Sequence, residues 1–197
     1  MKVSREQCAE NRERILAMAS GLFRERGFDG VGIADIMNAA GLTHGGFYRH
    51  FASKDDLAAQ TCQLAMEGTA EKWSSLLDSQ PQAPLQALLA HYLSEAHRDG
   101  LARGCMFAAL SGDAARQEHG VRKAFGDGLD VLLDMLGKTM PERSRQARRR
   151  KAIAAMAEMV GAVILARAVD DPALSKEILV AASQGLLTKH AEAAGTS

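Results

Sequence analysis

Proline is scarce in this 197-residue sequence, at four residues, and there are two tyrosines, one tryptophan and three cysteines. Little proline, few β-branched runs and abundant alanine and leucine argue against a sheet protein and for a mostly helical one, with 47% hydrophobic residues to form a core. Cys8, Cys62 and Cys105 are odd in number and far apart, which excludes a disulfide framework and a zinc site of the usual spacing. A reducing, cytoplasmic location is therefore expected. The N-terminal MKVSREQCAENRERIL is charged and lacks an apolar signal core. No run approaches the 18 or so apolar residues of a membrane span. Net charge is also missing: 24 basic residues balance 24 acidic ones. A polyanion-binding surface would have to be local. His44, His50, His91, His97, His119 and His190 show no HExxH spacing, and no Gly-rich phosphate loop precedes a helix. Neither an enzyme nor a bound cofactor or metal is expected.

What the sequence does contain is the stretch Ile33 to Phe51, IADIMNAAGLTHGGFYRHF. Ile33, Ile36 and Met37 form an apolar stripe at helical spacing. Gly41 suits the left-handed conformation that ends a helix. Thr43 is placed to cap a second helix over 44–51 through its hydroxyl. Two short helices about a glycine turn make a helix-turn-helix, whose second helix can enter the DNA major groove. No carboxylate lies between Asp35 and Asp55, a window holding Thr43, His44, Tyr48, Arg49, His50 and Lys54. Phe47 and Phe51 supply an inward face at i and i+4. Gly45 and Gly46 weaken a helix by roughly 1 kcal/mol each, but they let its leading backbone approach an anion closely.

The segment GFDGVGIADIMNAAGLTHGGFYRHFASKDDL resembles the DNA-binding domain of the tetracycline-repressor (TetR/AcrR) family of bacterial regulators. The resemblance is carried by Gly27-Phe28, Ile33 to Ile36, Ala40-Gly41-Leu42-Thr43, Gly46-Phe47-Tyr48, His50-Phe51, Ser53-Lys54 and Leu57. It covers about the first quarter of the chain. The segment 104–117, GCMFAALSGDAARQ, is similar to one branch of the family. One position departs: where the family often has Ser or Thr, this chain has Gly32, leaving only a backbone amide for a phosphate. The resemblance implies a homodimer, a small-molecule effector and repression. It implies an all-α fold of about nine helices, with a three-helix head over 1–53 for DNA binding. A C-terminal bundle over 54–197 would bind ligand and dimerise. In such a dimer the second motif helices would enter successive major grooves, about 34–36 Å apart. Tyr48, His50 and Lys54 would hold phosphates. Thr43, His44, Gly45, Gly46 and Arg49 would meet or approach base edges. The competing reading is a ligand-binding or protein-interaction helical module without operator binding.

The rest of the chain reads as helices. The first runs from Arg5 to Gly27, where Lys2 and Arg5 could reach phosphate or the minor groove. Ser53 caps a long helix to Asp78, with Asp55 and Asp56 in its favourable first turn. Further helices are expected over about 84–98, 104–110, 117–138, 142–169 and 173–192, with a frayed tail from Ala193. The basic run Arg143, Arg145, Arg148, Arg149, Arg150 and Lys151 reads as a solvated helix face. The last two helices carry more apolar and small residues than one bundle needs, which points to a four-helix interface between two copies. Met66, Trp73, His91, Tyr92, Met106, Phe107, Phe125, Leu129, Met156 and Met159 are candidates to line a pocket for an apolar or aromatic ligand. Cys105 reads as a buried structural thiol.

Overall fold

Helical spacing of alanine and leucine produces helices throughout. The computed structural model describes residues 5–195. Among them are nine α-helices and two short 3-10 helices. They are α1 (Arg5–Arg26), α2 (Ile33–Ala39), a 3-10 helix (His44–Arg49), α3 (Lys54–Ser79), α4 (Pro84–Tyr92) and α5 (Glu95–Asp99). A 3-10 turn (Leu101–Arg103), α6 (Met106–Ala114), α7 (His119–Lys138), α8 (Arg145–Ala168) and α9 (Pro172–Gly195) follow. Lys2, named above as a possible phosphate contact, and residues 196–197 lie outside the described residues, while 193–195, expected to be frayed, continue α9. No helix among the described residues is long and apolar enough to cross a membrane.

The chain forms two compact units: residues up to Met66 with Leu101–Asp127, and Glu67–Gly100 with Gly128–Ser197. This cuts the chain differently from a division at residues 53 and 54. The reason is local packing in the first unit. The buried Arg24 guanidinium donates to the Ser20 carbonyl at 3.0 Å, to the Ser20 hydroxyl, and to the Ala102 carbonyl at 3.3 Å. The Leu101–Arg103 turn packs against α1 at Gly21, where a Cβ would make only ordinary van der Waals contact with Ala102 Cβ, at 3.8 Å. Ile15, Leu16, Ala19, Phe23, Phe28 and Val31 build the core of this unit, with Phe23 and Phe28 rings 5.2 Å apart.

In the second unit α8 and α9 are joined by a three-residue link and lie antiparallel. The Ser175 hydroxyl donates to the Ala166 carbonyl at 2.6 Å, and Lys189 meets Glu158 at 2.7 Å. Arg167 reaches across to the carbonyls of Arg98 and His97 at 2.9 and 3.0 Å. The inward face of α8 is Ala152, Ala155, Met156, Met159, Ala162, Val163 and Ala166. Ile153, Ile164 and Leu165, though apolar and helically spaced, stand exposed, as do Leu174 and Val180 of α9. In the basic run Arg149 bridges Asp130 and Asp134 of α7, and Lys151 approaches Glu142.

Two expected helices begin or end elsewhere, for reasons of capping. The segment 84–98 breaks because the Ser94 hydroxyl accepts from the His97 amide at 3.1 Å and opens a new helix there. The helix expected from Glu142 starts at Arg145, since Ser144 is its cap and accepts from the Ala147 amide at 3.1 Å. Glu142 is thereby left outside the helix.

Backbone geometry yields a stability ranking. Gly41 has φ +67° and open space where a Cβ would stand, so Gly41→Ala meets only backbone strain, about 1–2 kcal/mol. A Cβ at Gly30 would fall inside van der Waals contact of the Arg26 carbonyl oxygen, which is backbone and cannot swing away. Urea unfolding should show Gly30→Ala as the more destabilising, and Gly41→Asn as milder than Gly41→Ala.

Candidate nucleic-acid interface

The turn of the motif is built by hydrogen bonds that require its glycine. The Leu42 amide donates to the Met37 carbonyl at 2.9 Å and the Gly41 amide to the Asn38 carbonyl at 3.0 Å. This pair of bonds about a left-handed glycine is a Schellman end, and it turns the chain sharply from α2 into the next element. Ile36 and Met37 face inward and Ile33 is half-buried. At the other end of α2 the Gly32 amide donates to the Asp35 carboxylate at 2.9 Å. The expectation of a free Gly32 amide for phosphate is therefore corrected: the helix's own acid already holds it.

The second motif element is a 3-10 helix over His44–Arg49, not the α-helix expected to Phe51. Two glycines at its start disfavour α-helix, and the tighter turn eclipses residues three apart. The Thr43 hydroxyl makes no capping bond. Its carbonyl accepts from the Gly46 amide at 2.9 Å instead. The inward side is Phe47, fully buried, with Phe51 5.7 Å away ring to ring. That burial forces the polar residues outward. Thr43, His44, Gly45, Tyr48 and Arg49 are exposed, Tyr48 at 65%. Gly46, His50 and Lys54 are half-buried.

Residues outside the motif brace it. The Arg12 guanidinium lies 5.3 Å over the Phe51 ring, a cation–π contact. Arg12 also donates to Gln60, which donates to Asp56 at 2.7 Å, and Asp56 accepts from the Ala52 amide at 2.9 Å. The Ser53 hydroxyl caps α3 as expected, accepting from the Asp56 amide at 3.0 Å. Cys8 Sγ lies 3.8 Å from His50 Nδ1. These partners escape sequence reading because they come from a different helix, although Cys8 and Arg12 do share one helix face at i and i+4. Burial, then Arg12 and Arg49, lower the His50 pKa, which favours the neutral ring. His50 is thus a hydrogen-bonding group more than a cation.

The ten pocket candidates divide between the units. Met66, Met106, Phe107 and Phe125 are buried in the first, where the rings of Phe107 and Phe125 meet edge-on at 5.4 Å. Trp73, Tyr92, Met156 and Met159 are buried in the second, and His91 and Leu129 half-buried. There Trp73 meets Tyr92 at 6.1 Å, Tyr92 meets His97 at 4.6 Å, and His97 stacks on His91 at 6.2 Å. His97, absent from the candidates, is held by Nδ1 against the Tyr92 carbonyl at 2.6 Å. Cys105 is buried as expected. Burial raises the Cys62 thiol to about 12, with Arg24 opposing.

Three histidines generate a pH prediction. Burial chiefly lowers the pKa of His50, His91 and His97. The unfolded chain, with histidines near 6.5, therefore binds more protons than the folded one. Stability should be flat above about pH 6.5 and fall below it. Urea midpoints at pH 7.5 and 5.5 check this, and His97→Gln should flatten the profile.

Known proteins match this arrangement. The family model "Bacterial regulatory proteins, tetR family" matches residues 15–61. The chain is 25% identical over 134 residues to the HTH-type transcriptional repressor NemR of Escherichia coli K12, covering 66% of this chain and 67% of that protein. The crystal structure of reduced E. coli NemR superposes with a TM-score of 0.75 at 23% identity, over 90% of this chain and 95% of that one. A TetR transcriptional regulator from Chloroflexus aurantiacus superposes with a TM-score of 0.77 at 30% identity, over 93% of this chain and 95% of that one. With the helix-turn-helix at its N-terminus and helices throughout, the chain belongs to the TetR family of bacterial transcriptional regulators.

Proposed function

We propose that this regulator is a cytoplasmic homodimeric repressor that holds a near-palindromic operator and leaves it when a small molecule binds the body. The observation that carries this reading is the exposed, carboxylate-free row His44, Gly45, Tyr48 and Arg49, backed by buried Phe47. Arg49 and His44, with Thr43, meet base edges, and Tyr48, His50 and Lys54 hold phosphates. Gly45 and Gly46 bring the backbone to the duplex. The relatives that bear the name repressor support the sign of regulation.

Residues 1–53 serve DNA binding and residues 54–197 serve effector binding and dimerisation. For the dimer, the support is the outward stripe on α8 and α9: Ile153, Ile164, Leu165, Leu174 and Val180. Solvent-facing apolar residues grouped on one hairpin suit a self-complementary four-helix contact. For the effector, the aromatic group Trp73, His91 and Tyr92 suits an apolar or aromatic molecule. Effector binding acts on the head through α3, which is one continuous helix from Lys54 to Ser79. It shifts occupancy only by as much as its affinity differs between the two forms.

Selection of bound sites from random DNA, followed by gel shifts, tests the reading. Affinity should fall steeply with salt. Arg49→Ala should weaken the selected site by about 1–3 kcal/mol, roughly fivefold to 150-fold, and relax its sequence preference. A chain that selects no sequence, or loses nothing with Arg49→Ala, would be a non-operator module instead.

The glycine at 45 gives a cleaner variant. A Cβ there meets nothing in the free protein, so Gly45→Ala should leave the melting temperature unchanged or raise it. Operator affinity should nonetheless drop, because the added methyl separates backbone from DNA. Equal affinity for both proteins would remove the backbone-approach part of the model.

A further inference from the structure

We propose that a small cavity in the second unit, among α4, α8, α9 and the link before α8, binds a small primary ammonium ion carrying a short apolar body, with Glu142 as its counter-ion. The cavity has a volume of about 110 Å³. Leu85, Met140, Pro141, Ala154, Ala155 and Leu186 supply its apolar lining. The polar groups at its edge are Glu142, Lys151, Glu158, Lys189 and His190.

Most of those groups already have partners. Lys189 is paired with Glu158 at 2.7 Å. His190 Nε2 lies 2.8 Å from the Thr139 carbonyl and donates to it. Lys151 stands 3.9 Å from Glu142 Oε1, with 54% of its side chain in solvent. The remaining atom is Glu142 Oε2. It is buried and has no hydrogen-bond partner in the protein, and the Glu142 side chain is only 15% exposed. A buried carboxylate oxygen without a donor is costly. The missing role is therefore a donor, and a charged donor meets a carboxylate better than a neutral one.

The space limits the occupant. One water's share of liquid volume is about 30 Å³, so the cavity holds about three or four groups of that size. An amine whose apolar body is about three or four carbons fits, its chain against Leu85, Ala155 and Leu186 and its ammonium at the Glu142 edge. The site exists because Ser144 caps α8 and keeps Glu142 out of the helix. It is separate from the aromatic group of Trp73, His91 and Tyr92, and none of those residues lines it.

The probe is n-butylammonium, with 1-butanol and butyrate as matched controls at constant chloride. Methionine methyl groups labelled with carbon-13 report binding, and Met140→Leu identifies the Met140 signal. n-Butylammonium should shift the Met140 methyl saturably and bind at least about tenfold more tightly than 1-butanol. Butyrate should not bind. Glu142→Gln should bring the amine down to the level of the alcohol. Ala154→Leu, at the exposed rim, should weaken amine and alcohol alike. The proposal fails if Met140 does not respond or if alcohol and amine bind equally. It also fails if Glu142→Gln binds the amine within threefold of the native chain. Circular dichroism checks that Glu142→Gln is folded; if it is not, the amine-to-alcohol ratio and Ala154→Leu decide the matter.

Discussion

Burial of Phe47 and Phe51 is the constraint on which the exposed polar face of the motif depends. Phe47 within the six-residue 3-10 helix, and Phe51 two residues past its end, occupy the inward side and leave the helix's other residues facing out. The apolar gain from burying each ring, about 1.5–3 kcal/mol, exceeds what surface residues such as Tyr48 or Arg49 could gain by turning in. The element is too short to hold itself. It is held by α2 through the glycine turn, and by α1 through Arg12, which touches the Phe51 ring and the Gln60–Asp56 relay. α1 is therefore a brace for the motif.

The same logic of covered and uncovered apolar surface organises the C-terminal hairpin. The inner face of α8 mixes Ala152, Ala155, Ala162 and Ala166 with Met156, Met159 and Val163, while Ile153, Ile164 and Leu165 are set on the outer face. Aliphatic side chains left on the outside of a lone bundle face water without the gain of burial. The proposed dimer would cover that outer face. In the proposed dimer such a contact would also fix the spacing of the two heads, which distinguishes a palindrome from one half-site.

Sequence reading recovered the motif well because its signals are local. Gly41 between Met37 and Leu42 is visible as a helix end, and the Schellman bonds that it permits are found. The window free of carboxylates from Ile36 to Lys54 is a property of the string itself. What failed locally was the competition between caps. Thr43 offers a hydroxyl, but its carbonyl does the work. Ser94 interrupts a run that looks continuous by apolar spacing, and Gly32 gives its amide to Asp35. Each of these turns on which of two nearby acceptors wins, and spacing alone does not rank them.

By itself the sequence determined the helical class, the position of the helix-turn-helix, and which side chains of that motif face outward, since all three follow from period, glycine placement and the phenylalanine pair. Only the tertiary structure decided that segment 101–127 packs with the N-terminal helices, that Arg12 and Cys8 flank the motif, and that Glu142 keeps a buried oxygen without a donor. Those facts depend on groups from helices far apart in the chain meeting within a few ångströms. Helical periodicity tells which face turns inward but not which neighbour it meets.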